Sequence, residues 1–241
     1  MPTSIQSFLT KLLIGKVSQN YVPKYDPIDR RILNIRSIWN NDHQDDNGIE
    51  KIFRLFLSIS QLCFPGIYVK TLAAKINYAY KDLAMDIYIL MKTLFPLIIL
   101  IKEWQDHKFV IWLLVYLILE TILYIPTLIF ASDLFARPRS YKRSMLLLFF
   151  NYLEVVISFG VFYTLGQNTN IPFAHWSDAL YFSLMTSNTI GYGDYHPITT
   201  YGKFLASVQA MFFLSFVILF LNFFSTKVKS KGYFDNEDHE G

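Results

Sequence analysis

The chain has 241 residues, of which 53% are hydrophobic, 17% are aromatic and 17% are charged, and its formal net charge is +3. Because soluble domains carry about 25% charged residues, this composition excludes an ordinary soluble domain. We expect a protein that lies in the lipid bilayer of the cell membrane and has no nucleic-acid partner.

The N-terminal third, 1–82, is predicted to be a cytoplasmic helical region that binds a regulatory partner. Apolar residues recur there at helical spacing in four segments, which are 5–17, 28–39, 49–64 and 67–85. The polar run at 40–48 is predicted to be a loop. Its His43 lies among aspartates, but a loop without a second group of ligands does not close a metal site.

An apolar stretch at 53–69 leaves two interpretations open. It is short and is broken by Pro65 and Gly66. We therefore favour an amphipathic helix at the membrane interface over a further membrane span.

Four later segments are long and apolar enough to cross a membrane, at 83–101, 109–131, 145–165 and 204–224. About 20 helical residues, at a rise of ~1.5 Å each, cover the ~30 Å hydrocarbon core. The first two are predicted to form a peripheral pair within 83–143, and the last two belong to a separate domain at 144–226. A short cytoplasmic tail follows at 227–241.

The basic residues indicate how these spans are oriented. They are concentrated in the N-terminal region, between the second and third spans, and just after the fourth. Basic flanks favour the cytoplasmic side, and four spans place all three clusters there. Both termini are therefore predicted to be cytoplasmic.

Ionisable residues inside the predicted spans are expected to be paired. Lys92 has two candidate partners, Glu120 and Glu154, and the sequence does not rank them. No span carries the regularly spaced arginines of a voltage sensor. The cations between the second and third spans are interpreted as membrane anchors, and they are Arg137, Arg139, Lys142 and Arg143.

Between the third and fourth spans, the apolar segment at 177–187 is too short to cross a bilayer. The sequence that follows it, TSNTIGYGD at 186–194, is unsuited to a helix. Non-helical backbone at membrane depth is tolerated where it is buried in protein or lines a watery cavity. A re-entrant loop that lines a pore is therefore predicted.

The residue types of this loop favour a ladder of oxygen atoms. Successive carbonyls point to one axis when the backbone alternates in handedness, which Gly191 and Gly193 permit. Thr189 adds a hydroxyl oxygen, while Ile190 and Tyr192 are predicted to pack outward. Rings of such oxygens can replace the hydration shell of a cation, and one chain supplies only one side of each ring.

The run TIGYGD, 189–194, resembles the signature of the tetrameric potassium channels, and the likeness extends to a pore helix, outer helix and inner helix within 145–224. The resemblance implies an all-α membrane protein with the pore-loop cation channel fold, preceded by two additional spans and a helical cytoplasmic region. It implies a potassium-selective homotetramer that is not an enzyme and has no cofactor other than the permeant ion. The implied K⁺ ligands are Thr189, Ile190, Gly191 and Tyr192, and Gly193 completes the filter.

The chain departs from the family pattern around the filter. Met185 stands where a polar residue is common, which removes one expected partner of Asp194. As a hypothesis, the Tyr181 hydroxyl holds Asp194 behind the filter and Thr186 supports Tyr192. Asn188 replaces a threonine commonly found just before the filter.

The inner helix is also unusual, since no glycine occurs from 203 to 231 and Phe213 occupies the usual hinge position. Opening at a glycine hinge is therefore not expected. Leu214, Val217 and Leu221 share one helical face. They are candidates for a gate that closes by dewetting, and equally for packing or lipid-facing residues.

Other functions were weighed against a potassium channel. The chain could be a weakly selective cation channel, a non-conducting subunit of a mixed assembly, or a membrane scaffold with a vestigial pore. The intact Tyr192 argues against reduced selectivity, and a vestigial pore would have a degraded filter sequence, which is not seen. An enzyme is not expected, because no nucleophile, base and orienting group are grouped in the sequence.

Overall fold

The structure is a computed structural model, which describes residues 26–42, 45–131 and 140–227, without the side chains of Ala79 and of 222–227. These residues are almost entirely helical, and their only β pairing is an isolated bridge between Thr169 and Pro197. The α-helices, named here in chain order, are α1 (Pro27–Asn40), α2 (Gly48–Ser60), α3 (Pro65–Ile76), α4 (Lys81–Lys102), α5 (Lys108–Phe130), α6 (Tyr141–Thr164), α7 (Trp176–Ser187) and α8 (Thr200–Lys227).

Helices α4, α5, α6 and α8 are each long and apolar enough to span a membrane. They coincide with the four predicted spans, which confirms an all-α, multi-pass membrane protein. Helices α2 and α3 together meet the same conditions as one bent segment whose axis turns by 60°. Whether 53–69 is interfacial or a span therefore stays a prediction.

Local signals in the sequence explain where several helices begin and end. Pro27 opens α1, where a missing N–H costs nothing. Asn41, at φ 59°, closes it in the left-handed conformation that asparagine tolerates well. Glu103, at φ 55°, ends α4 in the same way. A short connection then reverses the chain into α5, so α4 ends and α5 begins on one side of the membrane.

The segment 67–85, where apolar residues recur at helical spacing, is not one continuous helix. Helix α3 ends at Ile76, Asn77 is extended, and a 3₁₀ turn at Tyr78–Tyr80 precedes α4. Asparagine is a poor helix former, but the apolar periodicity continues across it and hides the break. The segment 49–64 is likewise α2 followed by a 3₁₀ turn at Gln61–Cys63.

Several predictions lie outside the described residues. These are the helix at 5–17, the side chain of His43, the anchors Arg137 and Arg139, and nearly all of the tail at 227–241. The division of the chain at 82, 143 and 226 also remains a prediction.

Helix α6 lies at the centre of the molecule. It packs against α4 and α5 on one side and against α7 and α8 on the other. Its buried residues contribute most of the central hydrophobic cluster, together with Leu205, Phe216 and Leu219 of α8. Helices α6 and α7 are in contact at Gly160, where a Cβ would lie 3.4 Å from the Ala179 carbonyl oxygen of α7, an ordinary van der Waals distance. This packing fixes the short helix α7 against a longer span.

Candidate pore loop and its supports

Helix α7 matches the short pore helix predicted at 177–187. The Asp178 carboxylate accepts hydrogen bonds of 3.0 Å from the backbone N–H groups of Ala174 and His175. These bonds satisfy backbone donors that would otherwise be unpaired at a helix start. The helix therefore begins at a defined residue.

A buried chain of neutral hydrogen bonds ties α7 to both neighbouring spans. The Ser183 hydroxyl donates to the Val156 carbonyl of α6 at 2.5 Å. The Gln209 amide of α8 donates to the Ser183 carbonyl at 2.9 Å, and Tyr163 of α6 donates to the Gln209 side-chain oxygen at 2.9 Å. The sequence reasoning missed this network. Its signal was Gln209, a polar residue in an otherwise apolar span.

The chain leaves α7 through two backbone hydrogen bonds. The Thr189 N–H donates to the Thr186 carbonyl at 3.2 Å, and the Ile190 N–H donates to the Met185 carbonyl at 3.0 Å. Thr186 thus supports the start of the loop through its backbone. Its predicted support of Tyr192 remains a prediction.

Beyond this point the backbone alternates in handedness. Thr189, Gly191 and Gly193 have φ values of 56°, 58° and 88°, whereas Ile190 and Tyr192 are not in the left-handed region. The two glycines take the conformation that the sequence predicted. Thr189 was not predicted to take it, because a β-branched residue rarely adopts a positive φ. Such alternation turns successive carbonyls toward one side of the chain.

The side chains of this strand have few neighbours within their own chain. Ile190 is 48% exposed and Tyr192 is 71% exposed. The outward packing predicted for them is therefore not supplied by the described residues of one chain.

Known proteins resemble this chain over the same region. Residues 151–230 match a family model described as an ion channel. The chain is 36% identical over 67 residues to potassium voltage-gated channel subfamily A member 5 of Oryctolagus cuniculus and of Homo sapiens, and 34% identical to that of Mustela putorius furo. Residues 151–230, called here the pore-loop domain, are similar to an ion channel, and the chain is similar over 67 residues to potassium channels. This relationship points to a channel and not to an enzyme.

The alignments cover 27% of this chain and 11% of each relative, so the chain spans only a small part of the relatives' length. No solved structure matches the chain at a significant level. The helices before the pore-loop domain are therefore described from this structure alone.

Hydrogen bonds made by Asn170 connect the segment between α6 and α7 to the segment between the TIGYGD run and α8. Asn170 donates through its amide to the Asp194 carbonyl at 2.9 Å and accepts from the His196 N–H at 2.8 Å. The Tyr181 hydroxyl interacts with the Asp194 carboxylate, and this interaction raises the pKa of Tyr181 above its ordinary value. Tyr181 therefore keeps its proton throughout the neutral range. The contact is the one that the hypothesis requires, and its effect on selectivity remains a prediction.

Just before the TIGYGD run, Asn188 bonds to α6. The Tyr152 hydroxyl lies 2.9 Å from the Asn188 side-chain oxygen and 3.0 Å from the Ser187 hydroxyl. The residue that departs from the family pattern is thus held by a tyrosine of α6.

The candidate gate residues of the pore-loop domain do not share one environment. Leu214 and Leu221 are exposed, at 60% and 63%, while Val217 is partly buried. Phe213, at the usual hinge position, lies with its ring centre 6.2 Å from that of Tyr152. The exposed leucines are free to meet other copies of the chain or lipid, and the gate remains a prediction.

A charged cluster lies on the side of α6 that faces α4 and α5. Lys92 of α4 contacts both candidate partners, Glu120 of α5 at 3.2 Å and Glu154 of α6 at 3.4 Å. Its ammonium also donates to the Thr121 hydroxyl, which donates to Glu154. The two alternatives left open by the sequence are both realised. The cluster links the pore-loop domain to the two spans that precede it.

Proposed function

We propose that this chain is a subunit of a potassium-selective ion channel that carries K⁺ passively across the cell membrane. The observation that carries the proposal is the left-handed φ at three alternate residues, 189, 191 and 193. This backbone suits a file of oxygen atoms that replaces the hydration shell of a cation. The ion is assigned from the relationship to potassium channels.

The proposed K⁺ ligands are backbone carbonyl oxygens, with the Thr189 hydroxyl as an additional ligand. The contributing residues are Thr189, Ile190, Gly191 and Tyr192. Gly193 supplies the last left-handed turn before Asp194. We propose no other cofactor, because the channel lowers the cost of dehydrating an ion and transforms no substrate.

The proposed assembly is a homotetramer. One chain supplies one side of each oxygen ring, and closed rings of identical subunits are the usual solution. The exposure of Ile190 and Tyr192 supports contact with further copies, since aromatic side chains at the filter are otherwise left without packing.

We further propose that both termini are cytoplasmic and that opening is not driven by voltage in the usual way. Between 83 and 130 the apolar parts of the two peripheral spans contain a single cation, Lys92. It is paired with two carboxylates. One charge that moves through ~100 mV gains about 2.3 kcal/mol, so this pair of helices would respond weakly. A partner at the N-terminal region is the proposed stimulus.

Ion flux into liposomes containing the purified full-length chain tests the proposal. We expect potassium flux to exceed sodium flux under equal gradients. Gly191→Ala and Tyr192→Ala should abolish the flux or its selectivity. Gly166→Ala is the matched control, because Gly166 also has a positive φ, of 83°, in open space but lies outside the filter.

The outcomes separate the competing functions. Equal potassium and sodium flux in the wild type would indicate a weakly selective cation channel. No flux of either ion, with residues 1–80 present or removed, would favour a non-conducting subunit or a scaffold. Loss of flux in Gly166→Ala as well would show that folding, not the filter, had been disturbed.

A further inference from the structure

Helices α2 and α3, with the 3₁₀ turn between them, form an unusual segment at 48–76, called here the α2–α3 segment. Its apolar side chains point away from the protein. On α2 the most exposed ones recur at helical spacing, and they are Ile49 at 86%, Ile52 at 68%, Phe56 at 54% and Ile59 at 49% exposure. On α3 the pattern continues with Leu72 at 63% and Ile76 at 83%.

The inward face of α2 is more polar than its outward face. Arg54 is 3% exposed, and its guanidinium lies 2.8 Å from the buried Asp46 carboxylate. Ser58 and Ser60 are buried on the same side. A helix in water buries its apolar stripe, so this arrangement is inverted. Apolar residues outside and polar residues inside suit a surface covered by hydrocarbon.

The α2–α3 segment rises along the span α5. Near its start, the Phe53 ring lies 5.4 Å from the ring of Phe130, the last residue of α5. Near its break, the Tyr116 hydroxyl donates to the Cys63 carbonyl at 2.7 Å and the Gly66 N–H donates to Glu120 at 3.0 Å. Glu120 lies ten residues before Phe130, or about 15 Å along the helix, which is near the middle of the span.

The segment then returns to the side from which it came. Helix α3 ends at Ile76, and α4 begins at Lys81 after one 3₁₀ turn. Because α4 and α5 are consecutive spans joined by a short connection, the start of α4 and the end of α5 lie on the same side of the membrane. Both ends of the segment therefore lie on that side, and its break lies near mid-depth.

The break itself is fitted to a site without water. Phe64 is extended, and Pro65, which has no N–H to satisfy, opens α3. The backbone groups on either side of the break, the Cys63 carbonyl and the Gly66 N–H, are bonded to side chains of α5. Non-helical backbone at membrane depth is tolerated when protein groups satisfy it in this way.

From this geometry we infer that residues 48–76 form a re-entrant wedge whose break reaches the middle of the bilayer and whose outward face contacts lipid acyl chains. The outward face is continuous with the lipid-facing surface of α5 through the contact between Phe53 and Phe130. Lipid chains are the occupant that matches an apolar surface at this depth. The inference goes beyond the proposed channel function and holds whether or not the pore conducts.

Cys63, the single cysteine of the chain, provides a probe of depth because it lies at the break and is exposed. The full-length protein is labelled there with a nitroxide in lipid vesicles. Its collisions with oxygen, which concentrates in lipid, are compared with those of a water-soluble nickel complex. We expect the oxygen-to-nickel ratio to match that of a label at Leu119→Cys, in a Cys63→Ser background.

Leu119 is the matched reference, since it is exposed on α5 beside Glu120. A label at Asp106→Cys, in the connection between α4 and α5, supplies the aqueous reference. Along the wedge, labels at Ile49→Cys, Ile52→Cys and Phe56→Cys should show a steadily rising ratio. A ratio at Cys63 as low as that at Asp106→Cys would overturn the inference.

Sidedness provides the second arm. Ile49→Cys and Ile76→Cys, each in the Cys63→Ser background, are treated with a membrane-impermeant thiol reagent on one face of sealed vesicles of known orientation. Modification of both from the same face is expected. Modification from opposite faces would show a bent span and overturn the re-entrant path, even if the label at Cys63 is deep.

Discussion

The two sides of helix α6 are held by different chemistry. Toward α7 and α8 its polar contacts are neutral hydrogen bonds, made by the Val156 carbonyl, Tyr152 and Tyr163. Toward α4 most of them are charged, made by Glu154 and Arg143, beside one neutral bond of 3.1 Å from the Thr93 hydroxyl to the Phe150 carbonyl. Lys92 and Glu154 are buried, as are Gln209 and Ser183, so a missing partner leaves a buried charge on one side and a buried dipole on the other.

This difference shows how each part of the molecule is held in place and what the loss of a bonding partner costs there. Neutral hydrogen bonds hold α7, which precedes the TIGYGD run, in a fixed geometry at little electrostatic cost. The charged side joins the pore-loop domain to the peripheral spans, and it is stable only while every charge is paired. Substitutions on the charged side should therefore have the larger effects.

The largest effect is expected for Lys92→Met. The substitution leaves Glu120 and Glu154 without their shared cation, and breaking a buried ion pair costs about 3–5 kcal/mol. The free energy of unfolding in mixed micelles, measured by titration with a denaturing detergent, reports the loss. Combining Lys92→Met with Glu120→Gln and Glu154→Gln should recover much of it. Failure of the triple variant to recover would contradict a charge-based account.

A smaller loss is expected for Gln209→Leu on the neutral side. It leaves the Ser183 carbonyl and the Tyr163 hydroxyl without their partner, at about 1–3 kcal/mol. The same unfolding titration measures it. Tyr163→Phe removes only one bond of this network and should cost less. Equal losses for Gln209→Leu and Lys92→Met would remove the distinction between the two sides.

Two glycines sharpen the comparison further. A Cβ at Gly66 would lie 2.4 Å from the Glu120 carboxylate oxygen, so Gly66→Ala must displace a member of the charged cluster. At Gly160 the nearest atom would be 3.4 Å away, and alanine favours a helix by about 1 kcal/mol. We expect Gly66→Ala to lower the thermal unfolding midpoint and Gly160→Ala to leave it unchanged or slightly higher. The reverse order would contradict the packing described for α6.

The smallest effect on stability is expected for Tyr181→Phe, because this hydroxyl lies at the exposed outer end of the pore-loop domain. Its loss releases the Asp194 carboxylate and should instead change potassium selectivity or inactivation of the current. Channel recordings in lipid bilayers measure both. Unchanged selectivity and inactivation would show that Tyr181 does not hold Asp194 in a functional sense.

Much of this architecture could be predicted from the sequence. The spans and the pore helix were located within a few residues, because the thickness of the bilayer sets the length of an apolar segment, and that length can be counted in the sequence. The left-handed conformations of Gly191 and Gly193 were also predicted. Glycine is the residue that adopts them at the lowest steric cost.

Other features depend on tertiary contacts and could not be predicted from the sequence. Lys92 could not be assigned a partner, because apolar spans do not reveal how each helix is rotated. The structure brings both carboxylates to it. The positive φ of Thr189 contradicts the local preference of a β-branched residue. The break at Asn77 was missed because the apolar residues keep their helical spacing across it. The spacing alone therefore does not show that α3 ends before Asn77 and that a new helix follows.

Gln209 has a consequence for movement of the inner helix. At Gln209 itself, α8 is joined to α6 and α7 by directional bonds that resist sliding and rotation. Below it, the described contacts are largely apolar, as where Phe216 packs on Tyr152 with ring centres 5.4 Å apart. Apolar contacts are non-directional. We therefore expect the filter end of α8 to stay fixed while its opposite end swings, with the pivot set by an amide and not by a glycine.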